Sequence, residues 1–390
     1  MDFLKPSLLI LLFLFTVRAT AANAAACTGQ WQLWNAYAGH FIQSDGRVIE
    51  HSQKGRTTSE GQAYSLFHAL VANDRQRFDK ILAWTRDNLA AGDLSRHLPA
   101  WLWGQDDRGH WGILDANTAS DADMWLAYAL LEAGRLWNRP ELRRLGKAVL
   151  HNIEIQDIRD LPGLGKTVLP GREGFQLDAG RWKLNPSYLP LQLLRRFSRA
   201  SSTTVWDQVI VTTRKMLLAA GATGIVPDWI VYDHHKGFTT LPNESIGSYD
   251  AIRVYLWLGM LNDADPLKAR FLNLLDFTND SFGLPPEKID TRSRMGAGKS
   301  PIGFKAALAP FFKSKQAERH LHRTIRMIDS QWKNGLLTDE PRYYDQNLAL
   351  FALAWLEKRF RFEPDGRLTT QWETPCTDAA GNPKSSLPAG

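Results

Sequence analysis

Thr118-Ala119-Ser120-Asp121-Ala122-Asp123-Met124-Trp125-Leu126-Ala127-Tyr128-Ala129-Leu130-Leu131-Glu132-Ala133-Gly134-Arg135-Leu136-Trp137 is the stretch on which the reading turns. Ser120 can cap a helix, and Asp121 and Asp123 then fall in the first turn, where the helix dipole favours negative charge. The helix that follows is apolar on most sides, through Met124, Trp125, Ala127, Tyr128, Leu130, Leu131 and Leu136. A helix of that kind is buried in a large protein. Its two leading carboxylates either cap a core element or do chemistry beside it.

Similar periodicity runs along the chain. It predicts twelve helices, over residues 31–41, 59–72, 75–89, 120–137, 140–155, 186–199, 205–219, 247–261, 266–275, 301–312, 316–332 and 343–360, read as six consecutive pairs. The second helix of each pair is the more apolar; the first carries more charge, as in Asp74-Arg75-Gln76-Arg77 and Glu141-Leu142-Arg143-Arg144. An inner ring of apolar helices inside an outer ring of amphipathic ones fits this pattern. The expected fold is all-α, an (α/α)6 barrel with a few short strands in its long loops. In such a ring the starts of the inner helices gather at one face. The loop over residues 92–118 carries Trp101, Trp103 and Trp111, and the loop over 157–185 holds two short strand patterns, at 167–169 and 175–177. Loops this long in a compact domain are usually functional or disordered; their aromatics make these two the walls of a cleft.

The composition fits a soluble domain with a full core. Of 390 residues, 44% are apolar and 23% charged, and the net charge of +6 is scattered. No basic run is interleaved with aromatics, so no nucleic-acid partner is expected. Fifteen Trp are many for one chain, and indole rings stack on sugar faces as well as filling cores. Lys5 precedes an apolar run over residues 8–17, followed by small residues up to Ala26. That is the pattern of a secretory signal peptide over 1–26, and it is too short for a span of about 20 residues. Stable membrane insertion is not expected. A lipoprotein would need Cys27 as its first residue, but Ala24-Ala25-Ala26 is a poor match for that cleavage site. The only cysteines, Cys27 and Cys376, end the domain expected over 27–376; an even count in a secreted chain points to a disulfide between them. Residues 377–390 read as a disordered tail.

Several residue patterns carry chemistry. Glu60 sits in Thr57-Thr58-Ser59-Glu60-Gly61-Gln62-Ala63-Tyr64-Ser65 at an inner-helix start. It is either a capping-box acid paired with Thr57 or a partly buried proton donor. Asp250, in Ser248-Tyr249-Asp250-Ala251-Ile252-Arg253, is either half of a structural ion pair with Arg253 or a base that Arg253 keeps ionised. His234-His235 has no acid or cysteine at metal-like spacing, and no phosphate loop, dinucleotide fingerprint or Gly-x-Ser-x-Gly elbow occurs. No metal and no cofactor are expected.

The segments around Glu60, Asp121 and Asp250, in that order, resemble glycoside hydrolase family 8, and the resemblance runs from Trp31 to about Phe360. The resemblance implies hydrolysis of cellulose and related β-glucans. It implies Glu60 as general acid, Asp250 as the base that activates water, and Asp121 as a contact that holds the distorted sugar. Tyr188 and Tyr249 match tyrosines near the reacting sugar and the water. Arg253, Trp101, Trp103, Trp111, Trp125 and Trp182 complete the expected substrate-binding set, the tryptophans as stacking platforms. Within the family, the signal peptide, the Trp101-Leu102-Trp103-Gly104 segment and Pro285-Pro286-Glu287-Lys288 are most similar to the endoglucanases encoded with bacterial cellulose synthase. A monomeric periplasmic or secreted endo-β-1,4-glucanase that trims nascent cellulose, in functional link with a synthase complex, is the implied protein. Chitosan, xylan or mixed-linkage glucan as substrate, or a sugar-binding barrel without catalysis, are the alternatives.

Overall fold

The computed structural model describes residues 30–241, 244–275 and 284–373. The signal segment, Cys27, Cys376 and the tail 377–390 lie outside the described residues. Among the described residues there are twelve α-helices: α1 (Gln32–Phe41), α2 (Ser59–Val71), α3 (Arg75–Leu89), α4 (Ser120–Leu136), α5 (Pro140–Gln156), α6 (Leu191–Ala200), α7 (Val205–Ala220), α8 (Ala251–Met260), α9 (Lys268–Leu274), α10 (Ile302–Ser314), α11 (Glu318–Asp329) and α12 (Tyr343–Leu356). The even-numbered helices pack in sequence on one another, and α12 returns to α2, closing the inner ring. Each of α3, α5, α7, α9 and α11 packs on the inner helix before it, and α1 packs on α12. The fold is the (α/α)6 barrel, with the pairing shifted by one helix from the consecutive pairs expected. Hairpins run inner then outer, and the sixth pair joins the two ends of the chain.

Burial explains the two rings. Helix α4 is buried without a break from Ser120 to Gly134, whereas α5 buries Leu142, Gly146, Val149, Leu150 and Ile153 along one stripe. The two helices touch closely because glycine faces backbone on both sides. A Cβ on Gly134 would sit 2.5 Å from Arg143 N, and one on Gly146 would sit 2.9 Å from Leu131 N. On the barrel axis Trp125, Tyr64, Phe67, Trp257 and Phe351 pack together, mostly edge-on or tilted but with Phe67 stacked on Phe351, and Trp125 lies 5.2 Å from Trp257 and 4.9 Å from Phe351 between ring centres. Such aromatic pairs add about 0.5–1.5 kcal/mol each beyond burial.

Helix starts differ in places from the sequence expectation. Ser120 does not cap α4: the cap position is Ala119, and the Ser120 hydroxyl is buried without a partner. The sixth helix begins at Leu191, after a short 3₁₀ turn at Pro186–Tyr188, because Pro190 disfavours helical backbone at Leu189. Helix α12 stops at Leu356, and Phe360 instead lies in a strand.

The connections hold more strand than expected. They contain β1 (Thr57–Thr58), β2 (Leu102–Gln105), β3 (Trp111–Asp115), β4 (Ile158–Leu161), β5 (Gly165–Val168), β6 (Gln176–Asp178), β7 (Arg181–Leu184), β8 (Ile230–Asp233), β9 (Gly237–Thr239), β10 (Ile246–Gly247), β11 (Lys288–Asp290), β12 (Gly296–Ala297), β13 (Trp332–Lys333), β14 (Leu336–Leu337), β15 (Phe360–Phe362) and β16 (Leu368–Thr370). Three of the antiparallel sheets lead into inner helices: β1-β2-β3 at the start of α2, β6-β7-β8-β9 beside α6, and β10-β11-β12 at the start of α8. Among the described residues no helix is long and apolar enough to cross a membrane.

Candidate active site

The starts of α2, α4, α8 and α12 open onto one cleft of about 570 Å³, whose lining includes Glu60, Asp121, Trp101, Tyr188, Tyr249 and Tyr344. Thr58, not Thr57, caps α2: its hydroxyl accepts from Gly61 N at 3.1 Å, while Ser59 N donates to Trp101 O at 3.0 Å. Glu60 is thereby released from capping and faces inward.

Arg253, one turn into α8 and 3% exposed, is the centre of the site. Its Nη1 donates to Glu60 Oε2 at 2.5 Å and to Asp121 Oδ2 at 3.2 Å, and its Nη2 donates to Asp250 Oδ1 at 2.6 Å. Tyr64 Oη and Ser187 Oγ accept at 3.2 and 3.1 Å. One planar guanidinium therefore holds three carboxylates from three inner helices, a task its fixed fork suits. Around the ring, α2 and α8 are opposite members, so Glu60 and Asp250 approach from opposite walls.

The environment separates the acids. Burial pushes the Glu60 carboxyl up to about 7, against the pull of Arg253; the charges of Asp121 and Asp250 add to the rise. Burial likewise raises Asp121, opposed by Arg253 and by Ala122 N, which donates to its Oδ1 at 2.8 Å. Asp123 points away from the cleft. Its carboxyl is fully buried without a hydrogen-bond partner, and burial, then the charge of Asp157, raise it well above the carboxylate range.

The expected binding residues divide. Tyr188 lines the cleft with its ring 5.4 Å from the Arg253 guanidinium carbon. Tyr249 and Trp101 also line it. Trp111 is 48% exposed on β3, stacked on Trp103 at 5.1 Å, with the Arg47 guanidinium 4.3 Å from the Trp103 ring centre and 4.6 Å from that of Trp111. Trp103 also meets Trp84 edge-on, so Trp111 offers the open ring of the pair. Two expected platforms are core instead. Trp125 is fully buried, because it lies one turn below Asp121 on the barrel axis. Trp182 is 6% exposed, because it pairs with Tyr232 across β7 and β8 and stacks on that ring inside the sheet.

Several residues were not singled out from the sequence. Asp228 Oδ1 accepts from Ser248 N at 2.7 Å and Ala251 N at 2.8 Å, which fixes the turn carrying Asp250. Burial, then the Asp250 charge, raise Asp228 to about 6. Tyr344 donates from its hydroxyl to Tyr249 O. Trp229 stacks parallel to Phe175 at 6.0 Å and packs against Tyr188. Tyr64 was legible, four residues after Glu60 and so on the same helical face; Asp228 and Trp229 lie in a loop with no periodic signal.

The family model for "Glycosyl hydrolases family 8" matches residues 7–358. An "Endoglucanase" of Xanthomonas axonopodis pv. citri is 46% identical over 366 residues, 93% of this chain and 94% of its own. An "Endoglucanase" of Escherichia coli K12 is 40% identical over 385 residues, 97% of this chain and all of its own. The crystal structure of an endo-1,4-D-glucanase from Vibrio fischeri is similar at a TM-score of 0.80 and 38% identity, over 88% of this chain and 100% of that one. An endo-β-1,4-glucanase structure from Acetobacter xylinum, 23% identical with a TM-score of 0.68, shares the fold.

Proposed function

The chain belongs to glycosyl hydrolase family 8, and from that membership we propose that it is an endo-β-1,4-glucanase that cleaves internal bonds of cellulose with inversion. The observation that carries the proposal is the meeting of Glu60 and Asp250 on the Arg253 guanidinium at the cleft floor, from opposite sides of the ring. Support for Glu60 as the acid comes from a carboxyl raised to about 7, which keeps its proton near neutral pH. Its Oε2 faces Arg253, so Oε1 is the oxygen that protonates the leaving group. Asp250, held by Arg253 and the backbone turn that Asp228 pins, takes a proton from the attacking water. Asp121 binds the sugar at the cleavage point. Placement on opposite walls favours the wider separation of about 6.5–9.5 Å that inversion needs.

The endoglucanase names of the relatives support cellulose over chitosan or xylan. We further propose that residues 1–26 direct the chain to the periplasm and that it trims cellulose as the polymer is made. The test is reducing-end release from carboxymethylcellulose, chitosan, xylan and mixed-linkage glucan in parallel. Preference for carboxymethylcellulose is expected; preference for another polymer overturns the substrate, and no release from any overturns the enzyme reading.

A further inference from the structure

We infer that Glu287 is a positioning residue that turns the Tyr249 hydroxyl, on the cleft lining, into a hydrogen-bond acceptor for the attacking water; this rests on the hydrolytic roles proposed above, to which it adds the Tyr249 contact with that water. The register of the β10-β11 pair builds the contact. Ile246 pairs with Asp290 and Gly247 with Ile289, so continuing the same antiparallel register sets Tyr249 opposite Glu287. Two hydrogen bonds lock the pair: Ser248 Oγ donates to Glu287 O at 2.7 Å, and Tyr249 Oη donates to Glu287 Oε1 at 2.9 Å. Pro285 and Pro286 stiffen the chain just before Glu287. Gly298, at φ +78°, leaves room behind its carboxylate, since a Cβ there would sit 2.6 Å from Glu287 Oε2. The Tyr249 ring is held edge-on to Phe304 at 5.0 Å, and its backbone carbonyl accepts from Tyr344.

The consequence follows from counting protons. A tyrosine hydroxyl has one proton to give. With that proton committed to Glu287, Tyr249 can meet the cleft only through its oxygen lone pairs. The attacking water has two protons and must aim a lone pair at the anomeric carbon. It donates one proton to Asp250, whose Oδ1 is taken by Arg253, and the other to Tyr249 Oη. As the water oxygen bonds to the anomeric carbon, its O–H bond to Asp250 breaks. The glycosidic C–O bond breaks with it, and the leaving oxygen takes the Glu60 proton. A Tyr249 free to donate would instead occupy one of the water's two lone pairs and leave its second proton without an acceptor.

Glu287→Ala is compared with Glu287→Gln, Tyr249→Phe and the Glu287→Ala/Tyr249→Phe double variant. On cello-oligosaccharides Glu287→Ala should lower kcat roughly 10- to 100-fold with KM little changed. Glu287→Gln, whose amide oxygen still accepts, should restore most of it. In the Tyr249→Phe background, Glu287→Ala should cost nothing further. The loss should persist on an aryl cello-oligosaccharide whose leaving group needs no proton, where a defect in the Glu60 step would disappear. A second readout needs no turnover. Burial, then the Glu287 hydrogen bond and charge, push the Tyr249 phenol up to about 12, so Glu287→Ala should shift its ionisation to lower pH in a tyrosinate absorbance titration. Additive losses in the double variant, a loss confined to KM, or an unmoved phenol overturns the inference. A wild type that leaves cello-oligosaccharides intact overturns the proposed function, and the phenol titration still decides whether Glu287 holds Tyr249.

Discussion

Replacing Arg253 with methionine should destabilise the protein in a way that depends on pH, and the structure sets both the size and the sign. The guanidinium is 3% exposed and pairs with Glu60, Asp121 and Asp250, whose side chains are 21%, 5% and 25% exposed. Removing one partner of a buried ion pair costs about 3–5 kcal/mol. Cleft water reaches Glu60 and Asp250, which favours the lower end, about 3 kcal/mol near pH 8. Arg253 opposes the rise that burial imposes on Glu60 and Asp121, so its loss lifts both carboxyls further. A carboxyl whose folded pKa lies above its unfolded value of about 4 contributes full stability below that value and loses it as pH rises through the folded one. The deficit of Arg253→Met against wild type should therefore be small near pH 5 and widest near pH 8. Urea unfolding followed by tryptophan fluorescence at the two pH values measures it. Arg253→Lys, which keeps the charge but not the fork, should show the shallower pH dependence. An equal deficit at both pH values would refute the reasoning, because it would mean that Arg253 stabilises by packing and not by balancing carboxylates.

Glu60→Gln should lower turnover by about 10²–10⁴-fold while binding cello-oligosaccharides as before; in the wild type, kcat/KM should fall as pH rises through about 7, where Glu60 loses its proton. Retained turnover in the variant, or a flat profile across that range, counts against Glu60 as acid. Asp123→Asn should gain stability relative to wild type as pH rises from about 5 to about 8, since burial raises the folded acid and its contribution is lost as pH rises, whereas the amide does not titrate; thermal melts at both pH values check this. Trp125→Ala should cost about 3–5 kcal/mol of stability, measured by the same unfolding assay. Trp111→Ala should leave stability unchanged and weaken binding of long cello-oligosaccharides by about 0.5–1.5 kcal/mol, measured by calorimetry.

The barrel was legible because its inner helices are apolar on every side and its outer ones are not, a contrast that α4 and α5 state plainly. The phase of the pairing was not, since α1 finds its partner at the far end of the chain and nothing local marks that. Glu60, Asp121 and Asp250 were legible as acids at inner-helix starts, and the structure brings them onto Arg253, whose spacing from Asp250 had already put those two on one face. What Arg253 does for Glu60 was hidden, because it joins α2 to α8 across the barrel. Tryptophan was the least legible residue. Trp111 and Trp125 look alike in sequence, but one lies on the edge strand of a sheet and the other on the axis, and only burial separates an exposed ring from a core ring. The backbone turn pinned by Asp228 depends on a single side chain in a loop, which carries no pattern to read.

The central claim is single displacement by water between Glu60 and Asp250, and its most direct measurement is proton NMR of the first product formed from cellopentaose. The account predicts that the α-anomer appears first and mutarotates afterwards. Initial appearance of the β-anomer, or a glycosyl-enzyme trapped on Asp250, would contradict it.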